Sequence, residues 1–373
     1  MSNFSSITYL SYIIDRDGHA SIIIIRLMNY RQNIEKCESM IFDAVGMTEN
    51  VDYRIIDVNM IGNVAGSIHT IEAGPIYAQT LVLIHGYGSG AVNWYKMIDK
   101  LRGIFHVYAI DLYGMGLSTR SDMLQYDPEQ LAELYAESLE GWRRALNLGD
   151  FVLMSHSLGA YITSHWIRLK NPPIKMLYLL SPAGFTNKDM KEEKANESLS
   201  AKLFRKGYEY FINKKQRNPY LGLPFNEQRF TNQFIELNGL SVDHAKILGK
   251  RYHQILKLGS LDEIVVSKFL YYAKYSQYPI CDILADVRRT RGLLCPIRVI
   301  YGANDTMDYE ETVKMIGRLD LRIPVDFIHN AEHRILLQNP DDVVTLMTID
   351  YKRGYDKIRH EFISSQCMPH ITK

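Results

Sequence analysis

The residues that could do chemistry begin with Ser157, which lies in a run of small side chains. The apolar residues 151–154 predict a buried strand before it, and residues 160–169 predict a helix after it. A serine placed between a strand and a helix stands on a sharp turn that lifts its hydroxyl above the sheet. The positions two before and two after the serine must be small, and Ser155 and Gly159 occupy them. We therefore interpret Ser157 as a candidate nucleophile.

A serine hydroxyl is a weak nucleophile at neutral pH, so this chemistry also needs a base and an acid that orients the base. His333 follows the last predicted strand and is the candidate base. Asp305 stands at a strand end, shortly after Gly302, and is the candidate acid, with Asp308 as the alternative. A nucleophile on a strand–turn–helix is followed along the chain by the acid and then by the base, which is the order seen here.

The elements that must position these residues read as a sheet with intervening helices. A glycine-rich loop, residues 85–90, follows a buried apolar strand, so its backbone can approach a ligand closely. By position, the N–H groups of Tyr87 and Leu158 are the candidate donors to an oxyanion. Helices are predicted over 128–146 and 310–319 and after Pro340. The predicted strands are 53–58, 67–73, 80–84, 104–110, 151–154, 175–180, 296–301 and 325–328.

The domain organisation follows from changes in sequence character. Residues 1–50 form an N-terminal extension in which apolar positions at helical spacing from Leu27 to Ala44 predict an amphipathic helix. Residues 51–185 and 293–373 form the two parts of the core, and the helix-rich residues 186–292 form a cap. The fold class is α/β, with a mostly parallel eight-stranded sheet, helices on both faces and a helical cap insertion.

Composition and charge exclude several classes of function. The formal net charge of +1 gives no global field for nucleic acid. The four cysteines are scattered and form neither a disulfide framework nor a metal site. We therefore expect no metal, no cofactor and no nucleic-acid partner. The sequence shows neither a signal peptide nor an apolar run long enough to span a bilayer, so we expect a cytoplasmic protein.

Six motifs carry a resemblance to a known family over residues 27–350. The chain resembles the α/β-hydrolase-domain family of intracellular lipid enzymes, a group that includes CGI-58-like lipase activators, lipases of N-acyl phospholipids and fungal cardiolipin deacylases. The chain departs from the family pattern at Ser155, where a glycine is usual, and at Gln338, where an H-x-x-x-x-D motif tied to acyl transfer has its acid. The motifs are H-G-Y-G at 85–88, D-L-Y-G-M-G-L-S at 111–118, S-H-S-L-G at 155–159, S-P-A-G-F at 181–185, Y-G-A-N-D-x-M-D at 301–308 and H-R-I-L-L-Q-N-P at 333–340.

The resemblance implies acyl-ester chemistry on phospholipids, lysophospholipids or acylglycerols. CGI-58-like members carry asparagine in place of the nucleophile, whereas this chain has Ser157. One alternative is a binding or lipase-regulating protein that uses the same fold without catalysis. A second alternative keeps the chemistry but takes a small soluble ester as substrate.

A lipid substrate requires contact with a membrane or a lipid-droplet surface. Two segments are candidates for this peripheral contact, and for each the alternative is an ordinary packed or solvated helix. One is the apolar stripe of Leu27, Tyr30, Ile34 and Ile41. The other is a basic segment interleaved with aromatic residues in the predicted cap. Its basic residues are Lys202, Arg205, Lys206, Lys214, Lys215 and Arg217.

Overall fold

The central feature of the molecule is one eight-stranded sheet. The structure, a computed structural model, describes residues 20–187, 226–259, 261–270, 273–292 and 295–366. All eight strands expected from the sequence are present, with small shifts at their ends. They are β1 (Tyr53–Asn59), β2 (Ser67–Ala73), β3 (Gln79–Ile84), β4 (Phe105–Ile110), β5 (Phe151–His156), β6 (Ile174–Leu180), β7 (Ile297–Gly302) and β8 (Val325–Ile328).

The strand order is β1-β2-β4-β3-β5-β6-β7-β8, and it confirms the mostly parallel α/β-hydrolase sheet. The pairs β1–β2 and β2–β4 are antiparallel, and every later pair is parallel. In such a sheet the parallel strands end at one common edge. Ser157 follows β5, Asp305 follows β7 and His333 follows β8, so the fold brings all three to that edge.

Helices cover both faces of the sheet, as the continuous apolar runs in its central strands predict. Because successive side chains in a strand point to opposite faces, Leu81 and Leu83 pack in one apolar cluster and Val82 and Ile84 in the other. The helices are α1 (Ala20–Asp43), α2 (Tyr95–Leu101), α3 (Pro128–Ala145), α4 (Leu158–Lys170), α5 (Glu227–Asn238), α6 (Val242–Leu258), α7 (Asp262–Phe269), α8 (Ile280–Arg291), α9 (Tyr309–Arg318), α10 (Ile335–Gln338), α11 (Pro340–Arg353) and α12 (Tyr355–Gln366).

Between β6 and β7, the described residues form helices joined by turns and irregular segments. The helices are α5, α6 and α7, and then α8, whose residues Ile280, Leu284 and Val287 pack in the same apolar cluster as α4. The basic and aromatic segment predicted to contact lipid, from Lys202 to Arg217, lies outside the described residues. Its role therefore stays a prediction from the sequence.

The N-terminal helix α1 is docked on the domain. It begins at Ala20, earlier than the sequence predicts, and it packs mainly against α6. Ile34 and Ile41 are completely buried. Burial of each side chain contributes roughly 1.5–3 kcal/mol, so exposing them to a membrane would cost that stability. The interpretation of the α1 stripe as a lipid-contact face is therefore wrong for Ile34 and Ile41. Leu27 and Tyr30 are partly exposed, so for these two residues lipid contact stays a prediction.

The helices of the described ranges also bear on whether the chain crosses a membrane. None of the helices there combines the length and the apolar character needed to cross a bilayer.

Candidate active site

Ser157 stands on the turn between β5 and α4. Its backbone has φ 52° and ψ −119°, a left-handed conformation that a non-glycine residue adopts only when its surroundings hold it. Close packing explains the small neighbours: a Cβ on Gly159 would lie 2.3 Å from the carbonyl oxygen of His85. A Cβ on Gly86 would lie 2.8 Å from that of Ser157. The strained turn is thus built for a serine that projects from the sheet edge.

The three predicted residues Ser157, His333 and Asp305 form one hydrogen-bonded chain. His333 Nε2 lies 2.9 Å from Ser157 Oγ, and His333 Nδ1 lies 3.1 Å from Asp305 Oδ1. A carboxylate only accepts, so Nδ1–H donates to Asp305 and leaves Nε2 free to accept the serine proton. The Asp305 side chain is fully buried, whereas that of His333 is 23% exposed. The geometry is that of a Ser-His-Asp triad.

The structure separates the two candidate acids. Burial raises the pKa of Asp305, but its hydrogen bond to His333 and the charge of that imidazole outweigh burial and hold the pKa below the usual value. Asp305 therefore stays ionised at neutral pH. Asp308 instead caps α9, where its side chain accepts the Glu311 N–H at 3.1 Å. Its other oxygen accepts a hydrogen bond from the Tyr275 hydroxyl at 3.2 Å.

The predicted oxyanion donors Tyr87 and Leu158 line the same cavity as Ser157. Leu158 is the first residue of α4, where backbone N–H groups have no acceptor within the helix. The loop that carries Tyr87 is held by its side chains: the Tyr87 hydroxyl donates to Glu263, and Asp262 accepts the Gly88 N–H at 3.3 Å. Their role as donors to an oxyanion stays a prediction, consistent with this placement.

His156, which precedes the nucleophile, is a site residue that the sequence analysis did not single out. Its Nε2–H donates to the backbone carbonyl of His333 at 2.8 Å, and the two rings lie 5.0 Å apart. Burial, and then the nearby charge of His333, lowers the pKa of His156 to about 3. A neutral imidazole therefore ties the strand before Ser157 to the loop of His333. Its position beside Ser157 was the one signal available in the sequence.

A buried ion network supports the glycine-rich loop from behind. Asp111 accepts the Ala91 N–H at 2.7 Å, and Arg251 lies 3.6 Å from Asp111 and 2.7 Å from Glu38. Glu38 also lies 3.0 Å from His69. The network connects Glu38 of α1 and Arg251 of α6 to Ala91, the residue that follows the glycine-rich loop. No motif or spacing in the sequence indicates that these residues are paired.

Three members of this network could in principle hold a metal ion. The ligand atoms of Glu38, His69 and Asp111 lie within 4.8 Å of one another. Arg251 already places its guanidinium against both carboxylates, so the cluster fits an internal ion network better than a metal centre. It is also the one such cluster found in the described part of the chain.

A cavity of about 220 Å³ adjoins the hydrogen-bonded serine. Its described lining includes Ser157, Leu158 and His333, and one wall is apolar. The apolar wall consists of Val266, Leu270, Met307, Leu336 and Leu337. A second cavity of about 740 Å³ shares Tyr87, Gly88 and Arg334 with the first. Most of its other lining residues are polar residues of α5 and the residue Asn226 just before that helix.

The sequence matches the α/β-hydrolase fold family over residues 79–331, and the chain belongs to that family. The match includes Ser157 and Asp305 of the hydrogen-bonded chain and ends just before His333. The eight-stranded sheet and the position of the serine turn agree with this assignment.

Among its relatives, the chain is similar to a 1-acylglycerol-3-phosphate O-acyltransferase of Arabidopsis thaliana. The two are 28% identical over 276 residues, which cover 70% of this chain and 64% of the plant protein. The chain thus spans less than two thirds of that relative. It is 33% identical over 106 residues to a human (lyso)-N-acylphosphatidylethanolamine lipase, which covers 28% of this chain and 30% of the lipase.

Among solved structures, the chain is similar to a naproxen esterase of Bacillus subtilis, with a TM-score of 0.60 and 19% identity. The match covers 91% of this chain and 99% of the esterase. At this identity the likeness establishes the fold alone.

Proposed function

We propose that the protein is a serine hydrolase that cleaves acyl esters of lipids. The observation that carries the proposal is the chain of hydrogen bonds from Ser157 Oγ through His333 to Asp305, at 2.9 Å and 3.1 Å. In this proposal Ser157 is the nucleophile, His333 the general base and Asp305 the acid that orients the base. Tyr87 and Leu158 donate their N–H groups to the oxyanion.

The mechanism follows from these positions. As Ser157 Oγ bonds to the ester carbonyl carbon, its proton passes to His333 Nε2, and Asp305 stabilises the imidazolium. The carbonyl oxygen becomes an oxyanion that the two N–H groups receive, and removing one such donor typically costs about 10²–10³ in turnover. The C–O bond then breaks, and the alcohol leaves with the proton from His333. Water attacks the acyl-enzyme in the same way and releases the fatty acid.

A lipid rather than a small soluble ester is favoured by the cavity and by the relatives. The wall of five apolar side chains beside Ser157 suits an acyl chain. The plant and human relatives are named for acylglycerol phosphate and for N-acylphosphatidylethanolamine. An insoluble substrate implies that the enzyme works at a membrane or lipid-droplet surface.

Hydrolysis is favoured over acyl transfer by position 338. The family motif tied to transfer has an acid there, whereas this chain has Gln338, whose side-chain oxygen accepts the Glu332 N–H at 2.8 Å. That contact braces the loop of His333 without adding a charge. Water is therefore the acyl acceptor in this proposal. The alternative of a non-catalytic lipid-binding protein does not account for an aligned base and acid behind a strained serine.

The test is reaction with a fluorophosphonate probe, which labels only an activated serine. We expect the wild-type protein to be labelled and Ser157→Ala to be unlabelled, with loss of lipid ester hydrolysis on the order of 10⁶-fold. The matched control is Ser155→Ala, since the Ser155 hydroxyl is buried and has no hydrogen-bond partner in the described chain. This control should label normally. Equal labelling of wild type and Ser157→Ala would overturn the proposal.

A further inference from the structure

The cavity beside Ser157 has an uneven charge. Its described lining includes two cationic side chains, Lys274 and Arg334, and no carboxylate. The backbone of Lys274 is fixed, because its carbonyl accepts the Gly184 N–H at 2.7 Å. Arg334 follows His333 directly, so its backbone is set by the same loop that places the base. Both residues thus line the cavity that also contains Ser157.

Two acidic residues are hydrogen-bonded to lining residues of this cavity. Asp262 accepts the Gly88 N–H, and Glu263 accepts the Tyr87 hydroxyl proton. Both side chains are buried behind the glycine-rich loop and do not line the cavity. The described lining of this cavity therefore carries a positive formal charge.

Arg334 occupies the junction between the two cavities. It lines both of them, together with Tyr87 and Gly88. Its guanidinium carbon lies 5.8 Å from the centre of the Phe234 ring, which supports the planar group from one side. Burial lowers the pKa of Arg334, and this effect outweighs the electrostatic influence of Tyr252 and Tyr87, which raises the pKa. A partly desolvated guanidinium gains more from a bound anion than a solvated one does.

The two cavities differ in the chemistry that they offer. The cavity of about 220 Å³ at Ser157 has an apolar wall, whereas the cavity of about 740 Å³ is lined by side chains that form hydrogen bonds. Its charged lining residues are Arg229, Glu236 and Arg334, so the formal charge there is also positive. Its amide-bearing lining residues are Asn226, Gln228, Asn232 and Gln233.

We propose that Arg334, assisted by Lys274, binds a phosphate group of the substrate while the acyl ester lies at Ser157. The acyl chain occupies the apolar cavity, and the rest of the polar headgroup extends into the larger cavity past Arg334. The planar guanidinium can bind a phosphate through two parallel hydrogen bonds, which suits it to this junction. This inference rests on the proposed function, because it assigns the headgroup site of the same reaction.

The kinetic test compares two substrates that differ only in the phosphate, 1-oleoyl lysophosphatidic acid and 1-monooleoylglycerol. For Arg334→Gln we expect the ratio of their kcat/KM values, phosphate ester over neutral ester, to fall about 10-fold to 100-fold, the worth of a hydrogen bond to a charged group. The matched control is Arg289→Gln, since the Arg289 side chain is 78% exposed on α8. The control should keep the wild-type ratio, and an unchanged ratio in Arg334→Gln would overturn the inference.

A binding test separates this inference from the proposed function. Lysophosphatidic acid is titrated into Ser157→Ala and into Ser157→Ala with Arg334→Gln, so that no turnover is needed. We expect the second protein to bind it at least about 10-fold more weakly. Equal binding would overturn the inference even if the wild type proves to be an active esterase.

Inorganic phosphate is the last arm, because free phosphate offers the same chemistry as a lipid headgroup. We expect it to compete with lysophosphatidic acid only at far higher concentration, since it lacks the acyl chain. Inorganic phosphate that binds as tightly as the lipid would identify a free-phosphate site and overturn the headgroup assignment.

Discussion

At the scale of single residues, Asp305 and Asp308 are two carboxylates between which the sequence leaves the acid role open, and the structure gives them different hydrogen-bond partners. Both follow β7 within a few residues, and both are hydrogen-bonded. They differ in their contacts: Asp305 accepts a hydrogen bond from His333, whereas Asp308 caps the N-terminus of α9. A cap stabilises a helix by about 1 kcal/mol and has no part in proton transfer.

The first prediction therefore compares Asp305→Asn with Asp308→Asn. Asp305→Asn should lower kcat for ester hydrolysis by about 10⁴, because the amide permits the wrong imidazole tautomer. Asp308→Asn keeps a side-chain oxygen for the cap and should lower kcat less than about tenfold. Kinetics on a soluble ester, together with thermal unfolding of both variants, checks this. A larger kinetic loss in Asp308→Asn would move the acid role to the later carboxylate.

At the scale of elements, the strands and the helices after them were predictable because each depends on local sequence. The continuous apolar run of β3 indicates a strand buried on both faces, and Asp127 and Pro128 mark the start of α3. The start of α1 was missed, because a run of four isoleucines at 22–25 does not by itself distinguish helix from strand.

Contacts between distant elements could not be predicted from the sequence. Glu38 on α1 pairs with Arg251 on α6, and the two are 213 positions apart. No periodicity or motif reports such a pairing, since it depends on how both helices dock on the sheet. The hydrogen bond from His156 to the His333 carbonyl could not be predicted for the same reason, since it also joins distant parts of the chain. The triad was predictable only because its order along the chain is characteristic of the fold.

The second prediction tests the docking of α1. Glu38 is completely buried between Arg251 and His69. Glu38→Gln therefore removes the carboxylate that pairs with the buried guanidinium of Arg251. Breaking a buried ion pair costs about 3–5 kcal/mol of unfolding free energy. The control is Glu35→Gln on the same helix, whose side chain is 41% exposed and pairs with Arg31 at 2.7 Å. The control should lose less than about 1 kcal/mol.

Urea unfolding at pH 7 measures the unfolding free energy of both variants. This pH is chosen because His69 is still mostly protonated there. Burial lowers the pKa of His69, but Glu38 and Asp57 outweigh burial and raise it from 6.5 to about 10. A raised pKa gives stability that is complete below pH 6.5 and is lost as the pH rises through about 10. At pH 7 the network is therefore still nearly intact. Equal losses in both variants would show that Glu38 is no more important than a surface carboxylate.

At the scale of the whole molecule, the parallel sheet explains why distant residues meet. Each residue of the proposed triad follows a strand that ends at the same edge, and helices of the segment between β6 and β7 help to line the cavities there. The order of strands and motifs predicted this arrangement. The volume and charge of the cavities were not predictable, because they depend on side chains from helices and loops that are far apart in the chain.

The proposed lipid substrate requires the whole protein to contact a lipid surface. The stripe on α1 is reduced to Leu27 and Tyr30, because Ile34 and Ile41 are buried. The basic and aromatic segment from Lys202 to Arg217 stays as the sequence-based candidate. Each Lys or Arg near an anionic surface contributes about 1 kcal/mol, which salt screens.

The last prediction is that Lys214, Lys215 and Arg217, all changed to Glu, weaken binding to anionic vesicles, most of all at low salt. The measurement is co-sedimentation with vesicles of phosphatidylcholine and phosphatidylserine across a salt series, with fluorophosphonate labelling as the check that the reacting serine is intact. The matched control makes the same charge change at exposed positions of α9 and α11, and it should bind nearly as the wild type does. Its three substitutions are Lys314→Glu, Lys352→Glu and Arg353→Glu.

The comparison separates a local docking surface from an effect of net charge. If only the first variant loses binding, the basic segment supplies the contact. If both variants lose it equally, net charge governs binding and the segment has no special role. If neither loses it at any salt concentration, electrostatic docking by the segment is excluded, and exposed apolar side chains become the better explanation. Ile76 and Tyr77, which are 80% and 89% exposed on the turn between β2 and β3, would then be the residues to change.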